Sequence, residues 1–373
     1  MPAQLDILAL EPFYGGERRV MLETLIRCSR HRWTLLKLPP RRIERRLAAA
    51  ANWFAEQLSR HWAGRMDVLF VSEAINLAHL LQLVPTLARH PSVVYFHENQ
   101  LPDPPQARLG PYDLVNLNSA VAATQIWFNS LFHLKRFLAL ATKLVELHPE
   151  ISGRSPMGQV AAKAHVVSPP LDLNLIDHVK GKLNLPARDP RAIFVETRAG
   201  DLSLLNAALS DLSGRGEQFR LITVGPVETL SDRWPRRTIS ERDDVGQVAG
   251  MLEAGVLAGV KPSAVSDYMA VRALMTGCWP ALPDVGVYRE LIPEPLHLSC
   301  LYPPEPAALA DVLQMAVASV PSWEPPDYRE RFGHFDAIRA SKVLDDRLEQ
   351  IAIAGVDASK VPPDPLPKGK RRK

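Results

Sequence analysis

The feature that most constrains this chain is an alternation of short apolar runs with helical stretches, run through twice. In the first half, strand candidates lie at Leu5–Leu10, Trp33–Leu38, Met66–Val71, Val93–Phe96, Gln125–Phe128 and His165–Ser168. Between them, Val20, Met21, Leu25 and Ile26 recur at helical spacing, as do the apolar residues of Ala48–Leu58, Ile75–Leu87, Asp113–Ala123 and Leu131–Thr142. Such crossover lengths predict parallel strands. Asp172–Arg191 interrupts the pattern, and it then restarts. Strands are expected at Ala192–Val195, Phe219–Val224, Val256–Val260 and Trp279–Leu282, with helices at Leu202–Leu212, Val245–Leu252, Tyr268–Thr276 and Ala307–Ala318. The fold class is therefore α/β: two Rossmann-like, doubly wound parallel-sheet domains facing across a cleft. The expected division is 1–172, a linker 173–191, a second domain 192–334, a C-terminal helix 335–355 and a disordered basic tail 356–373.

Composition fits that division. A chain of 373 residues, 46% of them hydrophobic, suits two domains of ordinary size. No apolar run is long enough for a membrane span. The start, M-P-A-Q-L-D-I-L-A-L-E, lacks the organisation of a signal peptide and is expected to enter the first strand. Cys28, Cys278 and Cys300 are too scattered for a disulfide framework or a structural zinc site, which points to a reducing cytoplasm. The formal charge is +3, yet the last six residues, K-G-K-R-R-K, carry five positive charges. The body is thus near neutral, and any nucleic-acid footprint must be local.

Two stretches carry candidate chemistry. The run V-V-Y-F ends in His97, Glu98, Asn99 and Gln100, and prolines at 102, 104 and 105 forbid an immediate helix. Ligands of open parallel sheets bind beyond the carboxyl ends of the strands, where this imidazole, carboxylate and pair of amides would stand. Gly15 and Gly16 sit on the first strand-to-helix turn, where free N–H groups suit a phosphate. Arg18 and Arg19 follow, either as added positive charge or as a solvated face. Ser130, after Asn129, is placed to cap the next helix. The segment P-P-R-R-I-E-R-R, Pro39–Arg46, is the densest basic patch of the body, as a phosphate-contact strip or a solvated loop partly neutralised by Glu44. No H-E-x-x-H, G-x-S-x-G, Walker-type loop or G-x-G-x-x-G appears, which argues against zinc-hydrolase, serine-hydrolase, P-loop and nicotinamide chemistry.

Three segments resemble the tRNA-queuosine α-mannosyltransferases, members of the two-domain GT-B glycosyltransferases. They are E-P-F-Y-G-G-E-R-R at Glu11–Arg19, Y-F-H-E-N-Q-L at Tyr95–Leu101, and F-N-S at Phe128–Ser130 followed by Phe132. In the second half, G-C-W-P-A-L-P at Gly277–Pro283 and Y-R-E-L at Tyr288–Leu291 fit as well. The resemblance implies GDP-mannose as donor and queuosine in a tRNA anticodon as acceptor. It also implies retention of configuration and no metal or other cofactor. Gly15 and Gly16 would face the donor diphosphate. His97 would lie by the transferred sugar as the catalytic residue. Glu98, Asn99, Gln100, Asn129 and Ser130 would shape the acceptor side, and Arg198 the donor side; Arg272, outside the family pattern, is a further donor-side candidate as a partner for the phosphates.

The second half also departs from the family pattern. Two glutamates eight positions apart are expected before Gly277; their places hold Ala264 and Arg272, and Asp267 is out of register by three. After the first strand of this half the family offers an arginine and a lysine, whereas V-E-T-R-A-G-D-L-S supplies only Arg198. The basic segment lacks the family's tryptophans, with Ile43 and Arg45 in their place. Losing one hydroxyl acceptor costs about 1–3 kcal/mol. Two functions follow: a working glycosyltransferase acting on tRNA, or a catalytically degenerate GT-B-fold chain that binds RNA or a partner. The tail is expected to add salt-dependent affinity for tRNA.

Overall fold

The structure is a computed structural model that describes residues 4–62, 64–106, 108–148, 157–198, 202–262 and 264–358. From residue 359 onward the expected basic tail lies outside the described residues. The strands are β1 (Asp6–Glu11), β2 (Arg32–Lys37), β3 (Val68–Ser72), β4 (Ser92–Phe96), β5 (Gln125–Phe128), β6 (Ala164–Val166), β7 (Asp189–Glu196), β8 (Arg220–Val224), β9 (Arg236–Ile239), β10 (Ala254–Ala258), β11 (Trp279–Pro283) and β12 (Leu301–Tyr302). They form two six-stranded sheets, ordered β2-β1-β3-β4-β5-β6 and β12-β11-β10-β7-β8-β9. Neighbouring strands are parallel throughout. The doubly wound reading is therefore correct for both halves.

The order reverses between β1 and β3 in the first sheet, and between β7 and β10 in the second. A reversal of this kind leaves a crevice beyond the strand ends, because adjacent crossovers leave on opposite faces. Each sheet therefore has one place built to receive a ligand. Central strands are apolar throughout because both their faces are covered: V-L-F-V-S of β3 and S-V-V-Y-F of β4 are wholly buried. Fully burying one large apolar side chain such as Phe96 or Phe128 stabilises by about 1.5–3 kcal/mol. Edge strand β2 alternates instead, in the pattern of a half-exposed strand.

Helix caps fix where each crossover starts. Ser130 accepts the His133 N–H at 2.9 Å, and Asp267 accepts the Ala270 N–H at 2.8 Å. The expected helix Ile75–Leu87 is split into Leu77–Leu83 and a 3-10 turn Pro85–Arg89, because Pro85 has no N–H to continue the ladder. Several elements escape the sequence pattern, among them the short helices Met157–Ala162, His297–Cys300 and Tyr328–Phe332. β9 is R-R-T-I, too polar to signal a strand, and β12 has only two residues. The segment expected as a linker contains the helix Asn174–Lys182, whose Ile176 and Val179 pack on Val248 of the second domain. The last helix, Ala337–Ala358, returns to the first domain, where Asp345 accepts from Ser29 Oγ at 2.6 Å and Glu349 from Arg30 Nε at 2.8 Å.

Candidate active site in the interdomain cleft

At the first reversal, β1 runs into the turn that carries Gly15 and Gly16. Both glycines are sterically required. A Cβ on Gly15 would lie 2.4 Å from Pro40 Cγ. Gly16 has φ +52°, and a Cβ there would lie 3.0 Å from Arg198 Nη1, on the opposite domain. The helix Gly16–Cys28 begins here. Its Arg18 turns inward rather than to solvent, with 4% of its surface exposed. That settles the sequence alternatives for Arg18: it is not a solvated residue. Its guanidinium grips both oxygens of Glu73, one of them at 2.9 Å.

Glu73 lies past the end of β3 and is completely buried. Besides Arg18 it accepts the backbone N–H groups of His97 at 3.1 Å and Glu98 at 3.0 Å. The polar end of β4 is thus fixed from beneath by one carboxylate. Asn116 extends the platform, donating to the Glu73 carbonyl at 2.9 Å and accepting the Gln100 N–H at 2.9 Å. Burial pushes the Glu73 carboxyl up, and the Arg18 cation opposes that push. Glu11, at the end of β1, is pushed up by burial to about 7, again against the pull of Arg18.

His97 is 3% exposed. Both its ring nitrogens are buried without a hydrogen-bond partner among the described residues. Burial, reinforced by the Arg18 cation and by His133, holds its pKa well below the ordinary imidazole range. The ring is a neutral donor and acceptor. An unmet buried polar atom costs about 1–3 kcal/mol, a cost that a water or a ligand group can remove.

The other acceptor-side candidates are engaged to different degrees. Glu98 is exposed, 3.7 Å from Arg18. The Asn99 carbonyl oxygen accepts the Leu101 N–H at 3.0 Å, closing the turn. The Gln100 side chain reaches Glu98 at 3.4 Å. Asn129 is buried, donating to the His97 carbonyl at 2.9 Å and lying 2.8 Å from His133 Nδ1. Ser130 not only caps its helix but donates to the Val265 carbonyl of the second domain at 2.7 Å. Asn129 and Ser130 therefore hold the site together.

At the second reversal, β7 ends in Glu196 and Arg198 follows. Glu196 pairs with Arg198 and with Lys261, which comes after β10. A lysine does stand beside Arg198, then, although the sequence after β7 offers none; the strand order supplies it from a distant segment. Arg272 is 6% exposed on the helix Tyr268–Met275, its nearest acid being Asp244 at 3.5 Å. Ala264 is half-buried and brings no polar side chain. Asp267 cannot substitute, because it caps its helix and accepts the Tyr288 hydroxyl at 2.8 Å.

The two reversals face each other. An open cavity of about 200 Å³ between them is lined by Gly15, Gly16, Arg198 and Arg272, the four donor-side candidates, with Glu17 and Tyr268 among the rest. Glu17 spans the gap, accepting the Ser266 hydroxyl at 3.0 Å and the Tyr268 N–H at 2.9 Å. Burial pushes the Glu17 carboxyl up, Lys261 pulls it back, and Asp267 and Glu196 add to the push. A second cavity of about 200 Å³ is bordered by Asn129 and Ser130 and shares Tyr268 with the first. His97, Glu98, Asn99 and Gln100 border neither of these two cavities.

Arg18, Glu73, Asn116, Glu17 and Lys261 were not singled out as site residues by sequence reasoning. Glu73 and Lys261 follow strands that flank a reversal of sheet order, but that order is seen only in the fold and leaves no signal in the sequence. Cations and backbone N–H groups on both walls suit an anionic ligand, and the neutral imidazole suits a hydroxyl.

Comparison with known proteins follows the same lines. Residues 6–171 match the family described as tRNA-queuosine alpha-mannosyltransferase N-terminal. A tRNA-queuosine alpha-mannosyltransferase of Drosophila melanogaster is 26% identical, the match covering 78% of this chain and 83% of that protein. Among solved structures, Anabaena HepE in complex with UDP and glucose aligns with a TM-score of 0.58 at 16% identity, over 93% of this chain and 100% of that one. Sucrose-phosphate synthase of Thermosynechococcus elongatus aligns at 0.61 and 14% identity, over 94% and 100%. At these identities the structures establish the fold alone, which is GT-B.

Proposed function

We propose that this chain, whose residues 6–171 match the family described as tRNA-queuosine alpha-mannosyltransferase N-terminal, is a glycosyltransferase that moves mannose from GDP-mannose to queuosine in tRNA, with retention of configuration. The observation that carries this reading is the meeting of Gly15–Gly16 with Arg198 and Arg272 in one cavity, at facing reversals of the two sheets. The donor diphosphate lies there. It takes the free N–H groups at the start of Gly16–Cys28 and draws Arg198 and Lys261 from Glu196.

The chemistry follows from these groups. The bond from the sugar carbon to the β-phosphate oxygen breaks, and the positive walls stabilise the charge left on that oxygen. An acceptor hydroxyl forms the new bond on the same face, as retention demands, and its proton passes to the departing phosphate oxygen. Neutral His97 hydrogen-bonds a sugar hydroxyl through its unpartnered nitrogens. No step requires a metal. With three unpaired thiols, a reducing cytoplasm is the compartment inferred.

A second reading has its own observation. Ala264 and Arg272 leave this wall without carboxylates where the resemblance expects them, as in a degenerate chain that keeps only RNA or partner binding. Ligand-induced thermal stabilisation separates the two. GDP-mannose at 100 times its dissociation constant should add about 2.7 kcal/mol, and labelled mannose should reach queuosine-containing tRNA. Absence of both effects, with tRNA still bound, would decide for the second reading.

A further inference from the structure

The arginines of residues 41–46 are the cluster of unpaired positive charge on this surface among the described residues. Several exposed arginines elsewhere are paired: Arg32 with Asp6, Arg60 with Glu56, Arg136 with Asp103, Arg215 with Asp211, Arg289 with Asp284, and Arg329 with Asp177. Arg65, Arg89, Arg108, Arg242 and Arg339 are exposed and unpaired among the described residues, but they stand singly along the chain. Arg41, Arg42 and Arg45 are exposed, and none makes an ion pair or side-chain hydrogen bond among the described residues. Glu44, the acid that the sequence offers to neutralise them, is exposed and pairs with none.

Three like charges kept close with no counter-charge repel one another, so the fold gains nothing from them. The loop is nonetheless held firmly. Leu38 donates its N–H to the Glu11 carbonyl at 2.9 Å, and Tyr14 returns one to the Leu38 carbonyl at 2.9 Å. Arg46 is spent on this task, donating to the Pro39 carbonyl at 2.8 Å. Arg42 has φ +51°, the one left-handed non-glycine residue among those described, a conformation that costs an ordinary side chain about 1 kcal/mol or more.

The position of the loop gives the charges a purpose. Pro40 packs on Gly15 and lines the same cavity as Gly15, Gly16 and Arg198. Lys37, just before it, holds its ammonium 4.0 Å from the Tyr14 ring centroid, and Tyr14 also lines the cavity. The strip therefore starts at the cleft mouth and leads outward along the first domain. A small donor fills the cavity itself, so a charged strip outside it fits something longer that continues from the acceptor.

We infer that Arg41, Arg42 and Arg45 form a phosphate-contact strip for the sugar–phosphate backbone of the RNA acceptor, on the N-terminal rim of the cleft. This rests on the tRNA reading above. Guanidinium groups bind successive phosphates without reading sequence, so the strip supplies affinity and orientation and leaves selection to the cleft.

The test is tRNA binding by the full-length protein over a range of salt concentrations, for wild type and for the triple variants R41A/R42A/R45A and R41K/R42K/R45K. Each released phosphate contact contributes about 0.7–0.9 to the slope of log K against log salt. The alanine variant should lose a slope of about 2, and bind roughly tenfold or more weakly at low salt. The lysine variant should keep most of the slope. In transfer assays the alanine change should raise KM for tRNA and leave kcat and the thermal shift with GDP-mannose unchanged. Unchanged tRNA affinity and slope in the alanine variant, with wild type binding and transferring, would overturn the inference and leave the transferase reading standing. Binding lost in the alanine variant while wild type shows no transfer would support the strip and remove the transferase. Wild type that binds no tRNA would remove both. Loss of binding to phosphatidylserine vesicles, without a change for tRNA, would assign the strip to a membrane surface and overturn it too.

Discussion

The two walls of the cleft are built on opposite principles. On the N-terminal wall the charges are buried and consumed internally: Arg18 closes on Glu73, and Glu73 closes on the N–H groups of His97 and Glu98. The His97 ring is left open at both nitrogens, and His133 at Nε2. On the C-terminal wall Arg198 and Lys261 remain partly exposed and share Glu196, with Arg272 close by. A wall whose unmet groups are neutral imidazoles suits a hydroxyl rather than a charge. A wall of partly exposed cations can exchange its carboxylate for a ligand phosphate. The first is rigid by construction, and the second holds its charges available.

Breaking the N-terminal platform should have the largest effect. Glu73→Ala leaves the Arg18 guanidinium buried without its carboxylate, and removing one partner of a buried pair costs about 3–5 kcal/mol. Denaturant unfolding should show that loss. A loss under about 1 kcal/mol would mean that water reaches Arg18 and that the two walls are alike. The next effect is catalytic. His97→Ala should lower transfer roughly 100-fold or more, while GDP affinity stays near wild type; stability should fall only by the lost packing of the ring on Tyr95, because the ring makes no hydrogen bond to lose. With its pKa held well below the usual range, wild-type activity should show no step near pH 6.5 assignable to this imidazole. A step there that His97→Asn removes would contradict the neutral assignment.

A smaller effect is expected from the opposite wall. Arg198→Ala or Lys261→Ala should weaken GDP-mannose binding about tenfold each, since hydrogen bonds to charged groups are worth about 1.5–3 kcal/mol. The double variant should fall short of the summed effects, because both cations share Glu196. Full additivity, measured by calorimetric titration, would show that the ligand does not displace that carboxylate.

The architecture was largely legible because parallel strands buried on both faces leave continuous apolar runs, as β3 and β4 do. Elements that pack without that signature were not: β9 is a polar edge strand and β12 is two residues long. At the site, Gly15, Gly16 and His97 stood out because their types are unusual where they occur. Arg18 did not, since an inward and an outward arginine look the same in sequence. Lys261 could not be found by counting from Arg198, 63 positions earlier. Only the strand order, with β10 beside β7, brings it to Glu196. Short-range chemistry survives as a motif, whereas a site assembled from strand order does not.

Glu17 joins the walls, and it gives the smallest and most specific effect. Its carboxyl is pushed up where it meets Ser266 and Tyr268, chiefly by burial. When the domains part, it returns to water and to an ordinary carboxyl pKa near 4.5. The joined state therefore binds a proton more readily than the parted one. A group raised in this way favours the joined state fully below its ordinary pKa, and the advantage is lost as pH rises through the raised value. Donor affinity that depends on both walls should then weaken as pH climbs from about 5 to 8, by about tenfold per unit of raised pKa. Glu17→Gln should flatten this slope, because the amide oxygen still accepts from Tyr268 and carries no charge to desolvate. A slope unchanged in Glu17→Gln would move the titration to another carboxyl, with Glu11, raised to about 7 on the first wall alone, the next to replace.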